Sequence, residues 1–174
     1  IEFVDNLTKK FNLQDFDTIV NVCPHDSIEP LKTLKKLGIK QVQYNLEIAN
    51  KELFTTTCPG KINYEIFVNK LYEAVSIFGK GNVRSNFVLG LQDFSELLNE
   101  CNKFAENGIV TDYSVFQPKK NTPYSNLKAP EMRDVINFTN ELVKIYLKFN
   151  QHPIFCSLSS RSSIVNEVYN DNDK

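Results

Sequence analysis

The sequence predicts an α/β fold in which a parallel sheet of four to five strands is flanked by helices. Short apolar runs alternate along the chain with segments whose apolar side chains recur at helical spacing, and glycine or proline separates most of them. Such alternation indicates parallel strands joined by right-handed crossovers. The chain has 174 residues. A closed eight-stranded barrel needs about 250, so we expect a partial TIM-type (β/α) barrel.

Four strands are predicted where apolar runs are closed by turn residues. The first is expected to be buried and to end at Pro24, and a run near the carboxyl terminus raises the number to five. The predicted strands cover residues 17–23, 39–48, 83–91 and 109–117, with the fifth over 154–158.

Helices are predicted after each strand, where apolar side chains share one face. Asp26 or Ser27 can cap the first and Asp93 or Ser95 the third, while Pro130 opens the longest. The predicted helices cover about 28–37, 63–78, 94–107 and 130–149, with a threonine-rich loop over 54–61. We expect the partial barrel to occupy residues 1–158 and a polar, partly mobile tail to occupy 159–174.

Composition excludes several classes of protein. Twenty basic residues balance 21 acidic ones, and no basic stripe predicts a nucleic-acid partner. No apolar run approaches the roughly 20 residues that span a bilayer, so we expect no membrane segment. The four cysteines are widely spaced, which is not typical of a secreted disulfide framework and favours a cytoplasmic protein.

One face of the second predicted strand is polar. A strand covered by helices on both sides is expected to be almost continuously apolar. Here polar and apolar side chains alternate instead, with Gln41, Gln43, Asn45 and Glu47 on one side and Val42, Tyr44, Leu46 and Ile48 on the other. In a barrel the polar side faces the interior, where it predicts either a ligand site or a paired hydrogen-bond network.

Two further segments follow predicted strands. Gly90 would let the backbone approach a flat ligand, although it also fits an ordinary turn in which Asp93 caps the next helix. Residues 116–123 contain Phe-Gln-Pro and Asn-Thr-Pro, which predict either a rigid loop over the strand ends or simple turns.

The cysteines and one lysine allow several interpretations. Cys101 lies on an apolar helix stripe and is expected in the core. Cys23, Cys58 and Cys156 lie near strand ends and could converge on a metal, although no short-range spacing supports a site. Lys61 follows Pro-Gly and is interpreted either as a contact to an anionic ligand group or as an exposed lysine.

In order, these motifs resemble the radical S-adenosylmethionine enzymes, in the branch similar to biotin synthase, over about residues 17–128. Asn45 and Glu47 resemble the acidic strand end that contacts the ribose and methionine of S-adenosylmethionine. The next strand resembles the family's G-x-I-x-G-x-x-E pattern, with Asn and Asp replacing its first and last residues. The resemblance implies a cofactor-binding set of Asn45, Glu47, Asn86, Val88, Gly90, Asp93 and Phe116.

The family binds a [4Fe–4S] cluster through C-x₃-C-x₂-C, which this sequence lacks. The resemblance therefore implies the carboxyl-terminal part of such an enzyme, from about its third strand onward. S-adenosylmethionine and the cluster would belong to the parent protein, which would form a 5′-deoxyadenosyl radical to abstract hydrogen from a small substrate. This chain alone is expected to bind neither group and to be inactive. Its partner would be the amino-terminal half of the barrel, and without it exposed sheet edges predict self-association.

Two alternatives remain open at this stage. The chain could be a small α/β ligand-binding or interaction module without catalytic activity. It could also be a fragment of an aldolase-like barrel with Lys40 or Lys61 as amine nucleophile, but Lys40 opens its strand at the amino end, away from the rim that carries catalytic groups.

Overall fold

The computed structural model describes residues 1–153 and 163–172, and its centre is a sheet of four parallel strands. The strands lie in the order β1-β2-β3-β4, each beside its predecessor in sequence. Their bounds are β1 Ile19–Asn21, β2 Gln41–Gln43, β3 Val83–Leu89 and β4 Ile109–Val115. The α/β class and the parallel sheet are thus confirmed, while the predicted strand over 154–158 lies outside the described residues.

Helices follow every strand and precede the first. A short 3-10 helix, Leu13–Asp15, also precedes β1. The helices are α1 Glu2–Thr8, α2 Glu29–Lys36, α3 Lys51–Thr57, α4 Tyr64–Phe78, α5 Phe94–Glu106, α6 Met132–Lys148 and α7 Val165–Asn172. Asn63 caps α4 and Asp93 caps α5, since the side chain of each accepts hydrogen bonds from amides of the first turn. Among the described residues, no helix combines the length and apolarity that crossing a bilayer requires.

The two faces of the sheet differ in chemistry. On one face Phe87 stacks on Phe104 of α5, with ring centroids 6.1 Å apart, and Tyr113 packs edge-on against Phe138 of α6 at 5.5 Å. The opposite face carries alternate residues of the same strands and is mostly polar. It includes Gln41, Gln43, Arg84, Asn86, Asp112 and Ser114. Helices α5 and α6 therefore pack on one face of the sheet, and most of the polar side chains lie on the other.

The alternation predicted for residues 41–48 is confirmed. Gln41, Gln43, Asn45 and Glu47 are half-buried, whereas Val42, Tyr44, Leu46 and Ile48 are at most 2% exposed. The regular strand is shorter than predicted, however, and ends at Gln43. Beyond it the pairing with β3 continues only as an isolated bridge between Glu47 and Phe87.

Two other expectations are wrong, and the segment predicted as a tail contains a helix. β1 is not buried: within the described residues it pairs only with β2, and Ile19 is 38% exposed. Much of the predicted loop over 54–61 is helix α3, which Asn50 caps and buried Phe54 anchors. Part of the predicted polar tail is helix α7, because Val165 and Tyr169 are one turn apart and bury themselves together.

Candidate functional site

The backbone of Glu47 has an unusual conformation just beyond β2. Its φ is 71°, in the left-handed region that residues other than glycine seldom adopt. Two hydrogen bonds hold it beside β3: the Glu47 amide donates to the Asn86 carbonyl at 2.9 Å, and the Val88 amide donates to the Glu47 carbonyl at 2.8 Å. Left-handed residues of this kind cost about 1–3 kcal/mol and cluster at functional sites. Asn121 and Asn150 also have a positive φ, but asparagine tolerates this region, so Glu47 is the unexpected case of the three.

A cavity of about 310 Å³ lies at the carboxyl ends of β1 and β2. Its polar lining comes from Asn21, Cys23, Asn45, Glu47 and Lys61, and its apolar lining from Val22, Pro24, Ile62 and Phe67. The mixture suits a small molecule that has both an apolar body and hydrogen-bonding groups.

Lys61 and Glu47 place opposite charges side by side in this cavity. The ammonium Nζ of Lys61 is 3.4 Å from Oε1 of Glu47, donates to the backbone carbonyl of Asn45, and lies 5.5 Å from the ring centroid of Phe67. The two charged side chains are 28% and 29% exposed. Lys61 is thus part of the site and not a simply exposed lysine. Its half-exposed pair with Glu47 contributes only about 0–1 kcal/mol, so a ligand can replace it at little cost.

Asn45 and Asn86 are oriented by neighbouring side chains. Oδ1 of Asn45 accepts from Nε2 of Gln43 at 2.7 Å, which leaves the Asn45 Nδ2 group as the donor that a ligand can use. Asn86 pairs with Ser114 across β3 and β4, Nδ2 to Oγ at 3.1 Å. Half-buried Val88 follows on the same face. The structure therefore places Asn45 and Glu47 just beyond β2, beside the neighbouring strand β3 that carries Asn86.

Gly90 has a local structural reason to be glycine. Its φ is 107°, and a Cβ atom there would lie 2.8 Å from Cδ of Pro130 and 3.5 Å from Cβ of Phe116. Phe116 itself extends the ladder of β4, because its amide donates to the Leu89 carbonyl at 2.9 Å. Gly90 and Phe116 thus lie together at the strand ends, in contact with the loop that leads to α6.

Asp93 acts as a helix cap. Its carboxylate accepts from the Ser95 amide at 2.9 Å and from the Glu96 amide at 3.0 Å. Its pKa lies below the ordinary value, because the Ser95 hydroxyl and then the Glu96 amide donate to the carboxylate. The capping alternative for Asp93 is therefore confirmed.

Near the strand ends, sequence reasoning missed the role of Gln92 and only partly predicted the loop after β4. Oε1 of Gln92 accepts from the amides of Ala49 and Asn50, so the residue beside the predicted Asp93 reaches the turn after Glu47. The loop after β4 crosses to α3, where the Tyr124 hydroxyl lies 2.9 Å from Oγ1 of Thr57. Only the turn-forming composition of residues 116–123 signalled this loop.

The cysteines have different environments. Cys23 is exposed at the cavity, and half-buried Cys58 has its pKa raised chiefly by burial. Cys101 is in the core as predicted, where burial raises the pKa of its thiol to about 12. Cys156 lies outside the described residues. Within the described residues, no three His, Cys, Asp or Glu side chains are placed to hold a metal ion.

No protein-family model and no curated protein matches this sequence.

Proposed function

We propose that this chain is the carboxyl-terminal portion of a radical S-adenosylmethionine enzyme and that its polar strand ends contribute to the cofactor site of the parent protein. The observation that carries the proposal is the left-handed Glu47, which lies near Asn45 in the lining of a cavity with both polar and apolar walls. Its position matches the acidic strand end of the family motif, and a strained acidic residue at a strand end is unusual without a function.

The proposed fold is one half of a (β/α) barrel. Strands that follow one another in order, with helix packing on one face, are what half of a barrel requires. A doubly wound sheet would instead reverse its strand order and place helices on both faces. The polar face with Asn86 and Gln43 would then line the barrel interior, and the carboxyl strand ends would form its mouth.

The residues at the cavity fit the sugar and amino-acid parts of S-adenosylmethionine. The Glu47 carboxylate can accept hydrogen bonds from ribose hydroxyls, the Asn45 amide can donate to the ligand, and Lys61 can pair with a carboxylate once it leaves Glu47. In the parent protein, S-adenosylmethionine would supply the group that abstracts hydrogen from a small substrate, after accepting one electron from a donor outside this chain. The described residues do not fit a [4Fe–4S] cluster, because they bring no three thiolates together, and no step on this chain passes through one.

The proposal predicts a partner for the edge of the sheet. Within the described residues β1 pairs only with β2, so its other side can receive a strand from the amino-terminal half of the barrel. In isolation the same edge is expected to pair with other copies. Sedimentation velocity at increasing concentration should show association, and a concentration-independent monomer would contradict this part of the proposal.

Calorimetric titration of S-adenosylmethionine into this chain tests the cofactor site. The resemblance implies no cofactor on this chain alone, but the described residues form the cavity without the rest of the barrel, so we propose that the chain binds S-adenosylmethionine weakly and saturably. Glu47→Gln should weaken that binding about 10- to 100-fold, because a charged acceptor contributes about 1.5–3 kcal/mol to a hydrogen bond. Glu52→Gln, an exposed change on α3, is the matched control and should leave the affinity unaltered. Equal affinity of Glu47→Gln and wild type, or an absence of saturable binding, would contradict the proposed site.

A ligand-binding module without catalytic activity is the second candidate. The observation that favours it is that Gly90 and Asp93, both in the family motif, are explained by packing and helix capping. Amide chemical shifts of Glu47 and Lys61 distinguish the candidates in a fragment screen. Shifts with simple carboxylates or amines but not with S-adenosylmethionine would favour the module.

A further inference from the structure

The first part of the turn after β2 is held by hydrogen bonds from β3 and by Lys61, which donates to the Asn45 carbonyl. The Leu46 amide donates to Oγ of Ser85 at 3.1 Å, and Glu47 forms its two backbone hydrogen bonds with Asn86 and Val88. These contacts fix the turn up to Glu47. The backbone amides of Ala49 and Asn50, which follow the turn, need a different hydrogen-bond partner, because the regular ladder with β3 has already ended.

Gln92 supplies that partner with a single oxygen atom. Oε1 accepts from the Ala49 amide at 2.9 Å and from the Asn50 amide at 3.1 Å. Its Nε2 atom is buried without a hydrogen-bond partner in the described part of the chain. Placing an unpaired amide donor out of water is unfavourable. The oxygen is therefore the atom through which this side chain acts. The buried, unpaired Nε2 group lowers the stability of the fold, and glutamine is present at this position despite that loss.

We infer that Gln92 is a positioning residue that clamps the backbone at residues 49–50 and so keeps Glu47 in its left-handed conformation for ligand binding. This inference rests on the proposed function of the cavity. A left-handed glutamate persists only where its surroundings hold both sides of it. β3 binds both the amide and the carbonyl of Glu47 itself. Gln92 holds the backbone that continues from it at residues 49–50, assisted by the Tyr64 hydroxyl, which donates to the Ala49 carbonyl at 2.7 Å.

Two substitutions separate the oxygen from the rest of the side chain. Gln92→Met keeps the length and apolar packing but removes the acceptor. Gln92→Glu keeps an acceptor for both amides, removes the donor that has no partner, and adds a negative charge that both amides can stabilise. Gln14→Met is the matched control, because Gln14 is exposed and lies far from Gln92 in the sequence.

Three measurements on the intact chain test the clamp. Amide hydrogen exchange reports the hydrogen bonds of Ala49 and Asn50, and the coupling between the amide and α protons of Glu47 reports its φ. Calorimetry reports the affinity for S-adenosylmethionine. Gln92→Met should speed exchange of the two amides roughly tenfold, shift the Glu47 coupling, and weaken binding by a similar factor. Gln92→Glu should stay within about threefold of wild type on each measure, and Gln14→Met should match wild type.

The outcomes distinguish positioning from general stability. If Gln92→Met speeds exchange across the whole chain, or opens the two amides without moving the Glu47 coupling and the affinity, Gln92 is only structural and the inference fails. If wild type does not bind S-adenosylmethionine, the proposed function fails. In that case the Glu47 coupling still decides whether Gln92 holds this backbone.

Discussion

Replacing Gly90 by alanine tests whether this glycine serves the protein or a ligand. A side chain at φ 107° is strained, which costs about 1–3 kcal/mol. The new Cβ would also approach Cδ of Pro130 to 2.8 Å, and such overpacking costs about 1–3 kcal/mol. The free energy of unfolding should therefore fall by about 2–6 kcal/mol. Urea unfolding followed by far-ultraviolet circular dichroism measures it.

A double-mutant cycle isolates the contact with the loop. Pro130→Ala removes the two closest atoms that a Cβ at position 90 would meet, so the double mutant should recover about 1–3 kcal/mol of the loss. Gly60→Ala is the control: no atom lies within 4 Å of its added Cβ, and we expect a change within about 1 kcal/mol.

Two results would refute this reasoning. One is a Gly90→Ala variant within about 0.5 kcal/mol of wild type, which would show that neither strain nor the contact matters. The other is an absence of coupling between positions 90 and 130. A stable Gly90→Ala variant that has lost affinity for S-adenosylmethionine would show that the glycine makes room for the ligand instead.

Two further predictions follow from local contacts. Asp93→Ala should lower Tm by about 2–4 °C through loss of the α5 cap and leave the affinity for S-adenosylmethionine unchanged, so a selective loss of affinity would contradict the capping role. Burial raises the pKa of Cys101 from 9.0 to about 12, so its unfolded thiol ionises first and the free energy of unfolding should fall as pH rises from about 9 to 12. Cys101→Ala should make that slope shallower without abolishing it, because burial also raises the pKa of Tyr44 and Tyr64 to about 12, and an unaltered slope would rule out a contribution from this thiol.

Structural features that depend on local periodicity could be predicted from the sequence. The alternation of residues 41–48 was predictable because side chains on extended backbone point to opposite sides in turn. Asn63 and Asp93 were placed correctly at or near helix starts because capping depends on only a few neighbouring residues. Four strands were predicted for the same reason, although each is shorter in the structure.

The rest depends on partners distant in sequence. Nothing local marks Glu47 as left-handed, because its conformation is imposed by Asn86 and Val88. The sequence did not predict a role for Gln92, because its two hydrogen bonds join positions more than 40 residues apart. The sequence also did not show that β1 pairs only with β2 in the described part of the chain, because apolar composition does not reveal how many neighbours a strand has.

The loop after β4 has a consequence for the chain during its synthesis. It meets the earlier part of the fold at two points, where Pro130 lies against Gly90 and Tyr124 against Thr57. At about 5–20 residues per second, a ribosome needs roughly 2–8 s to add the roughly 40 residues that separate Gly90 from Pro130. During that interval the carboxyl ends of β2 and β3 have no loop beside them. A nascent chain halted before Pro130 should therefore expose its strand ends to proteases and chaperones.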